Sequence, residues 1–401
     1  MSPENPDLLF QRNTLKKESP RKYPLFSAKE AARVVNFHKS MPIYRETPIH
    51  EMEQLAVYLE IDKLWIKDES KRFDLSAYHF LGASYGLAKW IALKGRQNND
   101  TISFDRMAWL LRSMKDFVIV AAADANHGYG VAYLAKLCGC KAKIFLSQDV
   151  SESKLERIRK VGGDVELLDL SYDQTIIHAK EQASKNGWLL LQNTTVEADE
   201  SLITYIMQGY LTLACEAYEQ LGEQRPTHII LQAGIGSMAA ALQAYLCNRF
   251  GANAPIIIIV EPRAADCFYG SHELQNGQSS NKLDDNPIDT VMTGLNNGIP
   301  SRLAWPILRD ESYAFISCRD KVSYLGMRVL NSPLQGDPRL LASEAGALSL
   351  GSLFKICNEE LRKDIKDQVS LDENSRVLLV LTEGPSDMQR FQKGIWEDVF
   401  T

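Results

Sequence analysis

The sequence predicts an α/β protein of two lobes, each carrying a mostly parallel sheet. Its 401 residues exceed what a single hydrophobic core usually serves, so two units of ordinary domain size are expected. Continuous apolar runs of strand length, such as Phe117–Ala123 (FVIVAAA), read as strands buried on both faces, and they alternate with helical spans as βαβ units do. Polar, glycine-bearing turns follow two of these runs, where open α/β sheets bind ligands.

Residues 1–24 are polar, punctuated by proline and without periodicity, and read as an arm. Ser27 followed by Glu30 has the form of a capping box opening a helix that runs through His38. Tyr44–Pro48 reads as extended, Met52–Leu59 as a helix and Leu64–Lys67 as a short strand. The apolar face of Tyr85–Leu93 predicts a helix. Beyond Phe117–Ala123, strands are expected at Lys143–Ser147 and Val165–Leu170, separated by helices over Gly130–Leu137 and Ser153–Val161. Further strands are expected at Trp188–Gln192, His228–Gln232, Pro255–Val260 and Arg376–Leu381, with one long helix over Ile203–Gln220 and a polar surface loop at Asn276–Pro287. The domain reading is an N-terminal arm and helix over 1–40, a large lobe of 41–90 with 225–401, and a small lobe of 91–224.

Composition narrows the function classes. The chain is 45% hydrophobic and 24% charged, which fits a globular protein rather than a disordered or fibrous one. A net charge of -6 provides no basic field for phosphate backbones, so nucleic acid is not an expected partner. No run approaches the roughly 20 apolar residues that cross a bilayer, so no membrane partner is expected. The polar N-terminus lacks the apolar core of a signal peptide, and seven cysteines without framework spacing suit a reducing compartment, so a cytoplasmic protein is expected. Cys138 and Cys140 have no second Cys/His pair at zinc-like spacing, so they read as core thiols and no metal site is expected.

Three stretches carry the chemistry. Asp68–Ala88 (DESKRFDLSAYHFLGASYGLA) passes from charged residues to small ones, with His79 in its middle and Gly82 allowing a helix or ligand to approach the backbone. Ala122–Val131 (AADANHGYGV) puts Asp124 and Asn126 after a buried strand, where Asn126 either binds a ligand or caps the following helix. Gln232–Ala239 (QAGIGSMA) offers free amides at a helix start, an anion site built from Gly234, Ile235, Gly236, Ser237 and Met238.

In order along the chain these stretches resemble the diaminopropionate ammonia-lyases, pyridoxal-phosphate (PLP) enzymes of the tryptophan-synthase-β fold, or fold type II. The first is similar to the family motif R-F-G-L-N-A-F-K-x-L-G-G-S-Y-A, with Arg72, Phe73, Leu75, Ala77, Leu81, Gly82, Ser84 and Tyr85 in step. The second resembles T-D-G-N-H-G-R-G-V and the third Q-A-G-V-G-S-M-A. Val260–Cys267, Gly326–Leu330 and Thr382–Gly384 match further family segments, and Ser343–Gly346 matches S-G-E-S-G-A approximately. The resemblance implies a phosphate cradle at Gly234–Met238, a ring-oxygen contact from Asn126, proton transfer by Asp124 and a pyridine-nitrogen partner in Thr382. Ser76, Tyr78, Asn193 and Glu344 become the candidate substrate-binding residues. It also implies a homodimer and a small, amino-acid-like substrate.

The chain departs from that pattern at three positions. His79 stands where the motif has its Schiff-base lysine, Asn193 where it has a second proton-transfer aspartate, and Asn297 where it has a cysteine, which removes an inherited pairing with Cys267. An imidazole nitrogen that adds to an aldehyde cannot lose water to give a neutral C=N, but it does transfer protons near neutral pH. The leading expectation is therefore a repurposed, PLP-independent, lyase-like enzyme with no covalent PLP. In it His79, oriented by Asp124, performs acid–base elimination, isomerisation or cyclisation on a small polar substrate. Three alternatives stand beside it: a PLP- or pyridoxamine-phosphate (PMP)-dependent ammonia-lyase-type enzyme with a non-covalently held cofactor, a PLP lyase using Lys71 or Lys89, and a non-catalytic ligand-binding pseudoenzyme in which His79 is an ordinary buried histidine.

Overall fold

The computed structural model describes residues 6–94, 102–122, 125–148, 150, 152–170, 172–192, 200–274, 290–358 and 363–397. The chain divides into two compact units, one of Met1–Pro24, Thr47–Arg72 and Glu216–Thr401, the other of Leu25–Glu46 and Phe73–Cys215.

The first unit is built on seven strands: β1 (Leu8–Arg12), β2 (Ile49–Glu51), β3 (Lys63–Asp68), β8 (His228–Gln232), β9 (Ile256–Pro262), β10 (Ala314–Cys318) and β11 (Arg376–Leu381). The second holds four: β4 (Val118–Ala122), β5 (Lys141–Ser147), β6 (Asp164–Leu168) and β7 (Leu189–Leu190). The strand order is β1-β10-β9-β8-β11-β3-β2 in the first sheet and β6-β5-β4-β7 in the second. All pairings are parallel except those of β1 with β10 and β2 with β3 at the two edges. This is the fold type II α/β architecture. The runs IIIIV of β9 and VLLVL of β11 are almost wholly buried, as a sheet covered on both faces requires.

β1 lies in the stretch read as an arm. Only Leu8 at its start is fully buried, and a five-residue edge strand with one anchored side chain carries little periodicity. β2 and β10 are likewise additions to the sequence reading. The expected helix over Ile203–Gln220 is two helices, Glu200–Gly209 and Leu211–Leu221. Gly209 ends the first because a side chain there would sit 2.4 Å from the Leu81 carbonyl of helix His79–Lys94. Gly82, on that second helix, packs directly under Tyr210, so a helix rather than a ligand uses its small size.

The unit boundaries also differ from the lobes expected. Residues 25–46 and 73–90 belong with the small lobe and 216–224 with the large one. Helix Ala28–Lys39 (capped by the Ser27 hydroxyl) is tied there by the buried His38, whose Nδ1 lies 2.6 Å from Thr212 Oγ1 and Nε2 3.1 Å from the Leu81 carbonyl. The loop expected at Asn276–Pro287 lies outside the described residues. Among the described residues, no helix is long and apolar enough to cross a membrane.

Candidate active site

In the first unit the strand order changes direction at β8, since β9 and β10 are added on one side and β11 on the other. Parallel sheets bind ligands at the carboxyl ends of strands at such points. β8 ends there in Gln232 and runs into Gly234–Met238, and Thr382 follows the last residue of the neighbouring β11, Leu381. The Gln232 side chain joins the two, with Nε2 donating to Thr382 Oγ1 at 2.9 Å and to the Val380 carbonyl at 3.0 Å. Helix Ser237–Phe250 starts at Gly236, whose φ of 86° is left-handed. A Cβ on Gly236 would lie 2.2 Å from the buried Phe268 ring, so the turn fits only a bare backbone. Its amides open toward the helix N-terminus, where the macrodipole favours an anion.

Nearby residues explain how the turn is held. Glu261, fully buried, accepts hydrogen bonds from the amides of Phe268 and Tyr269 and so fixes helix Cys267–Leu274 under Gly236. Burial, then the Asp266 charge, push the Glu261 carboxyl well above its ordinary value. The Cys267 thiol lies 3.5 Å from the Gly234 carbonyl, and Asn297 Nδ2 occupies the space a Gly234 side chain would need. All seven cysteines are free. The Glu344 carboxylate, a candidate substrate contact, receives Arg390 Nε at 2.7 Å.

In the second unit, His79 is the first residue of helix His79–Lys94 and is buried, its ring stacked on Tyr78 with centroids 4.3 Å apart. Tyr78 in turn meets Tyr210 edge-on at 5.1 Å. The approach to His79 is left-handed at three residues that are not glycine: Phe73 (φ 53°), Asp74 (57°) and Ser76 (63°). Asn126 sits in the first turn of helix Ala125–Cys138, and the neighbouring His127 Nε2 lies 3.0 Å from the Leu191 carbonyl. Asp124 and Asn193 lie outside the described residues, so the His79/Asp124 pairing does too.

Sequence reasoning passed over a buried ionic network in the first unit. Arg72 forks onto Glu69 (Nε–Oε2 2.8 Å, Nη2–Oε1 2.7 Å) and onto Glu216 (Nη1–Oε1 2.7 Å, Nη2–Oε2 2.7 Å). Lys67 Nζ reaches Glu216 Oε2 at 2.8 Å, the Thr47 carbonyl at 2.7 Å and Gln220 Oε1 at 3.0 Å. Burial raises the Glu216 carboxyl, but hydrogen bonds and charge from Arg72, with Lys67, outweigh it and bring its pKa down to about 2. Burial lowers the Lys67 ammonium despite Glu69 and Glu216. The only sequence signal was the presence of charged residues inside apolar stretches.

A glycine turn at a helix N-terminus, at the switch point of a mostly parallel α/β sheet and with a hydroxyl just past the next strand end, is the kind of place where α/β enzymes hold phosphate-bearing ligands. Residues 41–383 match the family model described as pyridoxal-phosphate dependent enzyme. Diaminopropionate ammonia-lyase of Salmonella typhimurium is 37% identical over 395 residues, covering 96% of this chain and 97% of that protein. Two crystal structures of diaminopropionate ammonia-lyase from Escherichia coli, one in complex with D-serine and one with an aminoacrylate-PLP azomethine reaction intermediate, each superpose with a TM-score of 0.89 at 34% identity, covering 98% of this chain and 97% of theirs. The chain belongs to the diaminopropionate ammonia-lyase family of PLP-dependent enzymes.

These findings correct two expectations. Full-length relatives in a PLP-dependent family, one solved with a PLP-bound reaction intermediate, overturn a PLP-independent enzyme run by His79 and Asp124, and with it the expectation of no covalent PLP. They likewise give no support to a non-catalytic pseudoenzyme. The physical reason is the glycine turn at the start of helix Ser237–Phe250: backbone amides at a helix N-terminus suit a phosphate, and a proton shuttle alone has no use for one.

Proposed function

We propose that this chain is a PLP-dependent lyase that releases ammonia from 2,3-diaminopropionate or a close amino-acid analogue. The observation that carries the reading is the turn Gly234–Met238 beside Thr382, in a chain aligned along nearly its whole length with diaminopropionate ammonia-lyase. The amides of Ile235, Gly236, Ser237 and Met238 would hold the phosphate, the Thr382 hydroxyl would face the pyridine nitrogen, and Asn126 would meet the ring oxygen. Bound there, PLP supplies an electron sink for negative charge at the substrate Cα while the β-amino group leaves.

His79 stands at the motif position of the family's lysine. Its ring nitrogens, Nδ1 and Nε2, are suited to accept and return a proton near neutral pH, and Asp124 is its proposed partner. Ser76 and Tyr78 offer hydroxyls, and Asn193 an amide, for the substrate's polar groups. An imidazole cannot serve as the amine that condenses with an aldehyde, so that amine comes from another lysine of this chain or from the substrate. Lys67 is committed to Glu216, which leaves Lys71 and Lys89 as the first to examine.

The test is direct. Purified protein mixed with PLP and desalted should retain a visible absorbance band. Borohydride reduction followed by peptide mapping then shows whether a lysine holds the cofactor. Ammonia should appear on addition of 2,3-diaminopropionate. A protein that keeps no PLP and releases no ammonia from 2,3-diaminopropionate or D-serine defeats the proposal. A homodimer is proposed as the assembly, and size-exclusion chromatography with light scattering checks it.

A further inference from the structure

The chain passes between the two units at four points, and the residues on the first unit's side of three of them are Thr47, Arg72 and Glu216. All three belong to the buried network. The Thr47 hydroxyl donates to Glu69 Oε1 at 2.6 Å and receives Arg72 Nη2 at 3.1 Å, so one guanidinium touches both of the other crossing residues. Thr47, Lys67, Glu69, Arg72 and Glu216 are each no more than 1% exposed, and Lys67 and Arg72 balance Glu69 and Glu216 in charge. A planar fork held by two carboxylates fixes orientation as well as distance, which a lysine ammonium does not do.

Immediately after Arg72 the backbone turns left-handed at Phe73, Asp74 and Ser76, three of the six such non-glycine residues among those described. Strained residues persist only where their surroundings over-determine them. Within the turn, Phe73 packs edge-on against Phe80 with centroids 4.9 Å apart, and Arg157 Nη2 donates to the Leu75 carbonyl at 3.2 Å. His79 follows at the end of this stretch.

We propose that Arg72 is a positioning residue for His79. Its double carboxylate fork anchors the chain where the strained turn begins, and the turn, itself held at Phe73 and at the Leu75 carbonyl, leads into the helix that starts at His79. The inference rests on the proposed function only for the part His79 plays in the reaction; the anchoring is a property of the chain.

Hydrogen exchange read by mass spectrometry on the full-length protein tests it, using Arg72→Lys, which keeps the charge and loses the forks, and Thr47→Val, which removes one tie and keeps the ion pairs. In Arg72→Lys, amides of 73–80 should exchange about tenfold faster while those of β8 stay within about twofold of the parent. Thr47→Val should show the same contrast at about threefold. With 2,3-diaminopropionate as substrate, Arg72→Lys should lower kcat about tenfold and move KM less than about threefold. A merely structural network would raise exchange equally in β8 and 73–80, and that result, or no change in 73–80, overturns the proposal. If Arg72→Lys does not fold, the Thr47→Val contrast decides alone. If the parent protein releases no ammonia, the functional reading fails while the exchange contrast still judges the anchoring.

Discussion

The turn at 234–238 and the turn at 73–76 both take the backbone left-handed just before a helix, and they do it with opposite residues. The first uses glycine at Gly236, where no Cβ exists to clash and the conformation is intrinsically accessible. The second uses Phe73, Asp74 and Ser76, each held at a cost on the order of 1 kcal/mol or more. The family motif has glycine and asparagine at the positions of Asp74 and Ser76, the two residue types that tolerate this region best. A glycine turn reaches this conformation without strain. A turn of phenylalanine, aspartate and serine depends on what grips its ends.

The sharpest way to break that contrast is to remove a grip. Glu216→Ala leaves Lys67 and Arg72 short of a buried counter-charge and should cost about 4 kcal/mol in urea unfolding. The pH dependence follows with a definite sign. Because the folded Glu216 pKa is depressed from 4.5 to about 2, the stability it contributes is complete above 4.5 and disappears as pH falls toward 2. The variant should therefore lose less on acidification across that window than the parent, and equal losses would count against the network. Gly236→Ala attacks the other turn: its methyl group would meet the Phe268 ring at a left-handed φ, and about 3 kcal/mol of stability should be lost along with PLP retention. A variant that still retains PLP after desalting would show that the turn tolerates a side chain.

Two smaller effects sharpen the comparison. Asp74→Gly relieves a left-handed residue and should raise stability by about 1 kcal/mol, seen as a higher Tm; a lower Tm would mean that Asp74 makes a compensating contact. His228 opens β8, the strand that leads into the glycine turn, and its Nε2 lies 2.8 Å from the Val369 carbonyl. Burial holds its pKa below the ordinary 6.5, so its contribution is present above that value and shrinks as pH falls below it. Thermal melts between neutral pH and 5 should show a loss of stability that is absent in His228→Gln.

How much was legible follows the same division. β8, β9 and β11 could be read from sequence because short uninterrupted Ile, Leu and Val runs suit strands buried on both faces of a parallel sheet. β1 (LLFQR) and β10 (AFISC) could not, since polar Gln11, Arg12 and Ser317 interrupt their apolar residues and neither alternates cleanly. The Ser27 cap and the glycine turn ahead of helix Ser237–Phe250 were legible because each residue answers a requirement within a few positions of itself. The start of helix His79–Lys94 was placed six residues late, because the non-glycine turn before it gives no local signal. Arg72 and Glu216 stand 144 residues apart, and their contact has no counterpart in spacing or periodicity. The departures at His79 and Asn193 pointed away from the cofactor, although the glycine turn already pointed to a phosphate.

By itself, then, the sequence determined the α/β alternation, the parallel core strands and the anion-binding turn, since these follow from hydrophobic runs and from the freedom of a backbone without side chains. Only the tertiary structure decided which residues join which unit, where the helix bearing His79 begins, and how four buried charges compensate one another. Those outcomes depend on contacts between segments far apart in the chain, where the energy of burial and of charge pairing overrides local preference.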